Sequence, residues 1–272
     1  MDNQRRKFLK IAGASALAGI GAPTLVKLTA GDALAAAKAP ADGHGAAAKD
    51  HGPEVPAGIR LAMVIDMRVI AAKPHLLDKA ITACNEVHNI PDFGGDRKNE
   101  IKWLWKASFE AVLTDKSYTR LSKMVQNTDF PVLCNHCENP PCVRACPTKA
   151  TFKLEKNGIV AMDYHRCIGC RFCMAACPYG ARSFNWQDPR PFVKKYNNDF
   201  PTRMRGVVEK CNFCSERLAL GQEPACVEAC EGAITFGDIN DPHSEISKVL
   251  DKEFTIQRKP TLGTNPSVFY IV

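Results

Sequence analysis

The chain has 272 residues, a formal net charge of +7 and an aromatic content of 8%. This length allows one or two domains, and the few aromatic residues predict a modest hydrophobic core. No basic run is interleaved with aromatic residues, so the positive charge does not indicate a nucleic-acid-binding protein. Beyond the N-terminal segment, no apolar run approaches the roughly 18 residues of a membrane-spanning helix. We therefore expect membrane contact only through partners.

The N-terminus predicts an export signal. Arg5 and Arg6 begin the sequence RRKFLK, an uncharged apolar stretch follows, and alanine-rich residues then offer A-x-A cleavage sites. We expect residues 1–35 to be a twin-arginine signal peptide and residues 36–59 to be a flexible linker. The protein is then expected in the periplasm, peripheral to the inner membrane.

Hydrophobic patterning predicts short elements separated by long loops. The apolar residues from Ile101 to Phe109 alternate with polar ones, which favours a strand, although a helix would also group the charged residues on one face. Asn157-Gly158 is a strong hairpin signal. In chain order, the predicted elements are a strand at 60–66, a helix at 74–85, a strand at 101–110, a hairpin turning at 157–158, and short strands at 184–186 and 233–236.

Three further segments allow specific expectations. Trp103 and Trp105 are expected to anchor the core or an interface. The long connection 188–206 carries three prolines and five cations, and either a solvated loop or a docking surface for partner subunits would account for it. The tail from Pro260 to Val272 ends in apolar residues and could cover a partner or pack on the core.

Twelve of the thirteen cysteines form three runs with ferredoxin-like spacing. Run A is C-x2-C-x4-C-x3-C-P, run B is C-x2-C-x2-C-x3-C-P, and run C is C-x2-C-x11-C-x3-C. Run A consists of Cys134, Cys137, Cys142 and Cys146; run B of Cys167, Cys170, Cys173 and Cys177; run C of Cys211, Cys214, Cys226 and Cys230.

This spacing predicts [4Fe–4S] clusters, because a tight loop can bring three thiolates around one iron–sulfur cube. Gly169 would let the backbone come close to the cube, and backbone N–H groups can point at its sulfides. Disulfides explain neither the repeated spacing nor the Cys-Pro endings. Attachment of c-type haem needs C-x-x-C-H, which these runs lack. Only run C could serve as a structural zinc site.

The fourth cysteines of runs A and B precede Pro147 and Pro178. In two-cluster ferredoxins a cysteine in this position ligates the neighbouring cluster. We therefore predict that Cys177 completes the cluster of run A. Likewise, Cys146 is predicted to complete the cluster of run B.

The thirteenth cysteine, Cys84, lies alone. Counting back from it with the C-x2-C-x2-C-x3-C spacing leads to Pro74, Leu77 and Ala80 instead of cysteines. A fourth run thus survives only as its last cysteine.

Here the chain resembles a family, the four-cluster electron-transfer subunits of bacterial membrane oxidoreductases that partner dimethyl-sulfoxide, polysulfide, tetrathionate and nitrite reductases. The stretches that carry the resemblance are MVIDM (63–67), CNEVHNIP (84–91), CNHCENPPCVRACPTKA (134–150), RCIGCRFCMAACPYGAR (166–182), KCNFCSERL (210–218) and NPSVFYI (265–271). Among relatives, a three-cluster version with an export signal is most like the periplasmic iron–sulfur subunits of membrane complexes linked to dissimilatory sulfite reduction.

The resemblance implies that the vanished run exchanges its last cysteine with run C. Cys84 would then complete the cluster of Cys211, Cys214 and Cys226, leaving Cys230 without a role. The alternative is that Cys230 closes its own run. Glu231 follows it instead of the proline found in runs A and B. The expected total is three [4Fe–4S] clusters.

The implied fold is α+β, with two ferredoxin-like modules and loop-rich insertions. Residues 131–190 would form the central module with runs A and B, and residues 60–130 and 191–272 the outer module with run C. His136 and His165, beside ligand cysteines, would tune potentials by hydrogen bonding or do nothing; a ligand role is not expected, because the cysteine sets are complete.

The implied function is electron transfer, without catalytic residues, between a quinone-reactive integral membrane subunit and a periplasmic multihaem cytochrome c. A molybdopterin subunit of the tetrathionate or polysulfide reductase type is the alternative partner. Two other hypotheses remain open: a zinc site in run C, and catalysis at a cluster with one open iron near Cys211.

Overall fold

The computed structural model describes residues 58–114 and 120–272. The predicted signal peptide and all but the last two residues of the predicted linker lie outside the described residues. No helix within these two ranges combines the length and the apolarity that a bilayer-spanning segment requires.

The described residues form short helices and strands, which confirms the mixed α and β character expected from the sequence. The elements are β1 (Leu61–Asp66), α1 (Met67–Ala72), α2 (His75–Val87), β2 (Leu104–Ala107), α3 (Phe109–Val112), α4 (Lys123–Asn127), β3 (Phe130–Leu133), α5 (Pro141–Arg144), β4 (Thr151–Lys153), β5 (Val160–Met162), α6 (Phe172–Ala176), β6 (Ser183–Phe184), a 3-10 turn (Arg190–Phe192), β7 (Val208–Glu209), α7 (Ser215–Ala219), α8 (Ala225–Ala229), β8 (Ile234–Asp238), α9 (Glu245–Lys252), β9 (Thr255–Ile256), a 3-10 turn (Pro260–Leu262) and β10 (Val268–Ile271).

The largest sheet has the strand order β8-β1-β10-β9. Strand β1 lies parallel to β10, with Met63 opposite Val268, and antiparallel to β8. Its residues from Ala62 to Ile65 are buried on both faces, which explains a continuous apolar run instead of an alternating one. The C-terminal tail therefore packs on the core, where it supplies an interior strand.

Helix α2 confirms the predicted helix at 74–85. Leu76, Leu77, Ala80 and Cys84 are its buried residues. Their spacing places them on one face, and this face packs against α8. The positions where a fourth run would carry its first cysteines are thus occupied partly by apolar core residues.

Three two-stranded sheets complete the fold. Strands β4 and β5 pair across the predicted Asn157-Gly158 turn, where Gly158 has a φ of +75°. The strand predicted at 101–110 is shorter, because Ser108 ends β2 and is the N-cap of α3. Trp103 is buried and Trp105 half-buried against the main core, which confirms their anchoring role.

The connection 188–206 is only partly solvated. Lys194 and Lys195 are exposed and pair with Asp92 and Glu86. Arg203, in contrast, is buried. The expectation of a solvated loop was wrong for this residue, because the sequence does not reveal its buried partner. That the segment docks a partner subunit stays a prediction.

That partner is Glu209, whose Oε2 lies 2.7 Å from Nε of Arg203. Glu209 also accepts hydrogen bonds from Nε1 of Trp103 and Nδ2 of Asn185. Arg203 donates to the carbonyl oxygens of His88 and Asn89. The pair therefore joins the long connection to β7 and to the C-terminal end of α2.

Removal of the Arg203 side chain should destabilise the protein strongly. Arg203→Ala leaves the Glu209 carboxylate buried and unpaired, which costs about 3–5 kcal/mol. Arg190→Ala, which removes an exposed cation paired with Asp188, is the matched control and should change stability by less than about 0.5 kcal/mol. Thermal unfolding of the cluster-loaded protein, followed by circular dichroism, measures both. Equal midpoints for the two variants would contradict the structural role of the buried pair.

Candidate iron–sulfur centres

The three C-x2-C loops share one backbone feature. The residue just before the second cysteine has a positive φ in each: +39° at His136, +68° at Gly169 and +55° at Phe213. In run C, the N–H of Phe213 donates to Sγ of Cys211 over 3.4 Å. Left-handed residues of this kind help to turn N–H groups toward a common anion.

Gly169 also meets a packing requirement. A Cβ atom at this position would clash with the carbonyl oxygen of Gly206 and lie 3.2 Å from the ring of Phe184. The loop of run B therefore lies directly against the connection that leads into β7. A larger residue would have to displace backbone there.

The third cysteine of each run occupies the same place in a short helix. Cys142, Cys173 and Cys226 are the second residues of α5, α6 and α8, and all three are buried. After α5 and α6, the N–H groups of Cys146 and Cys177 donate to the carbonyls of Val143 and Met174. Runs A and B thus have the same local backbone form.

The structure brings Cys177 beside run A. Burial, followed by the charges of neighbouring thiols, raises the pKa of Cys137 to about 12; these thiols belong to Cys134, Cys142 and Cys177. Burial also raises the pKa of Cys177, with Cys134 as the next contribution. The structure therefore places Cys177 near the thiols of run A; that it completes their cluster stays a prediction.

In run B, Cys167 and Cys170 are half-buried and Cys173 is buried. Burial raises the pKa of Cys173, and Cys142 and Cys167 raise it further. The thiols of run B therefore lie nearer to the surface than those of run A. Cys142 is the run A residue that lies next to run B.

Cys146 is half-buried, and its Sγ lies 3.7 Å from Oγ1 of Thr148. The pKa of Cys146 is lowered. Burial alone would raise it, but hydrogen bonds from the backbone of Thr151 and Ala150 and from Thr148 outweigh that effect. This environment favours a thiolate, as metal ligation requires. That Cys146 completes the cluster of run B stays a prediction.

The structure places Cys84 near run C: it lies in the same core cluster as Cys211 and Cys226. Burial raises the pKa of Cys211 well above its usual range, and Cys84 is the next largest cause. Burial also raises the pKa of Cys226 well above its usual range, and Cys84 is again the next largest cause. Helix α2, packed on α8, presents Cys84 to this group.

Cys230 points elsewhere. It is fully buried, and its Sγ lies 3.7 Å from the carbonyl oxygen of Leu76, with donor geometry. Burial and, as the smaller cause, the charge of Glu231 raise the pKa of Cys230 to about 11. The hydrogen bond to Leu76 shows most directly that this thiol is turned away from run C.

The donor chemistry fits iron–sulfur clusters. Four buried thiols cannot ionise together without a cation, because each raises the pKa of its neighbours. Iron supplies that positive charge, and thiolate sulfur is its usual ligand in such clusters. When bound, the clusters accept and donate single electrons, and the cysteines named above would hold them.

Buried cations provide an independent test of this fit. Arg182, Lys210 and Arg258 are buried, and among the described residues none of them pairs with a carboxylate. Lys210 donates to the carbonyls of Val160 and Cys211, whereas Arg258 donates to those of Val112 and Tyr179. A buried cation without an anion costs several kcal/mol. Thiolate-ligated clusters, which carry about −2 to −3 each, would be the missing anions.

Arg182 lies between two runs. Burial opposes its charge, yet the thiols of Cys142, Cys173 and Cys134 raise its pKa. Its Nη1 donates to Oγ1 of Thr151 over 3.1 Å. A guanidinium here stabilises negative charge on the thiols of runs A and B at the same time.

The packing of the cysteines gives the spatial order of the runs. Cys134 of run A lies in one core cluster with Cys211 of run C, and Cys142 of run A lies in another with Cys173 of run B. The electrostatic effects agree with this order. Cys134 of run A raises the pKa of Cys211 in run C, and Cys142 of run A raises the pKa of Cys173 in run B. Run A therefore lies between the other two.

Sequence reasoning missed His88. Its Nδ1 lies 2.9 Å from the carbonyl oxygen of Cys84 and 3.7 Å from its Sγ, and its Nε2 lies 2.9 Å from Glu216. Burial would lower the pKa of His88, but the thiols of Cys214 and Cys84 and then Glu216 raise it well above the usual range. The available signal was the i, i+4 spacing from Cys84.

The two histidines named from the sequence differ. His136 is buried and stacks on Phe213 with ring centroids 3.7 Å apart, and its Nδ1 accepts a hydrogen bond from the N–H of Val160. Burial, followed by the charge of Lys210, holds the pKa of His136 well below its usual range. His165 is exposed. Only His136 lies inside the site, as a neutral packing partner of two ligand loops.

Comparison with known proteins agrees with this geometry. The family described as "4Fe-4S dicluster domain" matches residues 125–194. Over 98% of its length, the chain is 40% identical to the Hdr-like menaquinol oxidoreductase iron-sulfur subunit 1 of Archaeoglobus fulgidus, of which it covers 97%. The chain belongs to the iron–sulfur electron-transfer subunits of membrane oxidoreductases. The resemblance inferred from the cysteine runs is thereby confirmed.

Two further members of this family are similar over different extents. The B subunit of sulfite dehydrogenase from Allochromatium vinosum is 32% identical over 78% of this chain and 82% of its own. The B subunit of tetrathionate reductase from Salmonella typhimurium is 44% identical over 55% of this chain and 54% of its own. The chain therefore spans about half of the tetrathionate reductase relative and most of the sulfite dehydrogenase relative.

Arg182→Gln should lower the midpoint potentials of the clusters at runs A and B. A unit charge about 4 Å away contributes about 4 kcal/mol at an effective dielectric constant near 20, so a shift on the order of 100 mV is expected. Redox titration followed by electron paramagnetic resonance measures it. Arg166→Gln, at an exposed cation beside run B, should shift the potentials much less because solvent screens it. Equal shifts would show that Arg182 does not act on the clusters.

Cys84→Ala and Cys230→Ala separate the two candidates for the last ligand of run C. Cys84→Ala should reduce the iron content or change the resonance spectrum of one cluster, because a thiolate ligand is lost. Cys230→Ala removes only a buried thiol near Leu76 and should leave iron and spectrum unchanged. The reverse pattern would assign the ligand to Cys230.

Proposed function

We propose that this subunit holds three [4Fe–4S] clusters. The thiols that the structure brings together support two of the sets, and the shared spacing supports the third. The sets are Cys134, Cys137, Cys142 and Cys177 for run A; Cys167, Cys170, Cys173 and Cys146 for run B; and Cys211, Cys214, Cys226 and Cys84 for run C.

We also propose two ferredoxin-like modules. The dicluster match at 125–194 covers runs A and B and thus supports a central module at 131–190. In this region α5 packs against α6, and in the remainder of the chain α2 packs against α8 in the same manner. Each helix pair brings a cysteine from one run to the ligands of another.

Electrons are proposed to pass along run C, run A and run B, in either direction. The single observation that carries this proposal is the position of run A between the other two. One end would exchange electrons with a quinone-reactive integral membrane subunit, and the other with a periplasmic multihaem cytochrome c. The names of the Archaeoglobus and Allochromatium relatives, a menaquinol oxidoreductase and a sulfite dehydrogenase, support such a role in sulfite-linked anaerobic respiration.

The tetrathionate reductase relative supports the alternative, a molybdopterin partner subunit. For either partner, we propose export by the twin-arginine route to the periplasmic face of the inner membrane. The Arg5-Arg6 signal supports this location.

A structural zinc site in run C is the second candidate for this part of the chain. The observation that favours it is a trio of ligand atoms, from His88, Cys214 and Glu216, that all lie within 4.8 Å of one another. Zinc binds such mixed donors. Cys84 and Cys226 beside the same trio favour a cluster instead.

Metal analysis of the native complex tests these proposals together. We expect about twelve irons and no zinc per chain, since three cubes carry four irons each. About eight irons with one zinc would assign run C to zinc. Haem staining of the co-purified subunits, together with molybdenum analysis, then identifies the partner: haem without molybdenum is expected, and molybdenum without haem would favour the alternative.

A further inference from the structure

The ligand loop of run B carries exposed apolar side chains. Ile168, between Cys167 and Cys170, is 67% exposed, and Phe172, between Cys170 and Cys173, is 60% exposed. The residues that correspond to Ile168 in runs A and C are Asn135, which is buried, and Asn212, which is half-buried. Large apolar side chains at such exposure mark an interaction site when they are contiguous with others.

A third large apolar side chain continues this surface. Trp186 is 42% exposed and packs edge-on against Phe184, with ring centroids 4.7 Å apart. The guanidinium of Arg171 lies over the Trp186 ring at 4.7 Å and over the Phe184 ring at 5.4 Å. Arg171 thus connects the ligand loop to Trp186. We call Ile168, Arg171, Phe172 and Trp186 the run B face.

Cations without an acidic partner are the main charged groups of the described segments around this face, since Asp188, two residues after Trp186, pairs with Arg190. Arg171 is part of the run B face and has no carboxylate partner among the described residues. Arg144 lies on α5, which packs against α6, and Arg205 precedes the Gly206 carbonyl that contacts Gly169. Both are exposed. Arg166 is the one cation of this group that pairs with an acid, Asp163.

We propose that the run B face docks a redox protein whose own contact surface has an apolar centre and an acidic rim. This inference rests on the proposed electron-transfer function. An apolar centre with a charged rim is typical of specific interfaces, and complementary charge steers encounter. Run A is enclosed between the other two runs, whereas run B has its loop at the surface, so this face gives a partner the shortest approach to a terminal cluster. A lipid surface would also accept tryptophan and arginine, but it would insulate the one exposed ligand loop.

The test measures electron transfer from the dithionite-reduced, cluster-loaded protein to two soluble probes by stopped flow. The probes are an acidic bacterial cytochrome c and the basic mitochondrial cytochrome c. With the acidic probe, Arg171→Glu should lower the second-order rate about tenfold at low ionic strength, and the difference should disappear in about 0.5 M salt. The rate with the basic probe should not fall.

Trp186→Ser tests the apolar centre outside the ligand loop, where cluster assembly is not at risk. It should slow transfer to the acidic probe several-fold at every salt concentration, because the loss is apolar contact and not charge. Lys248→Glu and Phe254→Ser, at exposed positions of α9 and the β9 edge, are the matched controls and should leave both rates unchanged. Iron content and resonance spectra establish that each variant is loaded.

The outcomes separate this inference from the proposed function. The docking site is overturned, and electron transfer stands, if no variant of the run B face changes the transfer rate of the wild-type protein. The same conclusion follows if the control variants change the rate equally. Failure of the wild-type clusters to be reduced or to pass electrons overturns the proposed function itself. If the face variants instead abolish binding to anionic phospholipid vesicles and leave both transfer rates unchanged, the face contacts a membrane and the inference is wrong.

Discussion

The structure depends on the balance between buried positive charge and buried sulfur. Arg182 and Lys210 are buried beside the predicted ligand thiols, and among the described residues no carboxylate neutralises them. Arg258 lies near Tyr179 in the same interior. In an apolar protein interior such cations would be strongly destabilising. Clusters of charge about −2 to −3 remove that penalty, and the cations in turn favour the reduced clusters. Folding, cluster binding and redox potential are therefore coupled through the same contacts.

A second principle is repetition of one local unit. Each run has a left-handed residue before its second cysteine, and its third cysteine is the second residue of a short helix. Helix α5 packs against α6, and helix α8 packs against α2, so cysteines from distant segments of the chain come close together. Where the unit is incomplete, at α2, Leu76 and Leu77 are buried core residues, and Cys230 binds the Leu76 carbonyl. Apolar side chains fill the part of the interior that cysteine ligands of a fourth run would otherwise line.

Much of the local structure follows from the sequence because it depends on neighbouring residues. The Asn157-Gly158 turn, the helix around Cys84 and the strand at 60–66 are examples, since turn geometry and apolar periodicity are local properties. Long-range pairing was harder to predict. Arg203 belonged to a polar, proline-containing segment, and nothing near it in the chain indicated that Glu209 and the carbonyls of His88 and Asn89 would surround it.

The sequence by itself determined the cofactor class and the family, because cysteine spacing along the chain limits which ligand loops can form. It also singled out Cys84, through the spacing of the residues before it. Only the tertiary structure decided that Cys84 faces Cys211 and Cys226 while Cys230 faces Leu76, and that run A lies between runs B and C. The physical reason is that spacing constrains one loop, whereas the meeting of thiols from distant loops depends on how helices such as α2 and α8 pack.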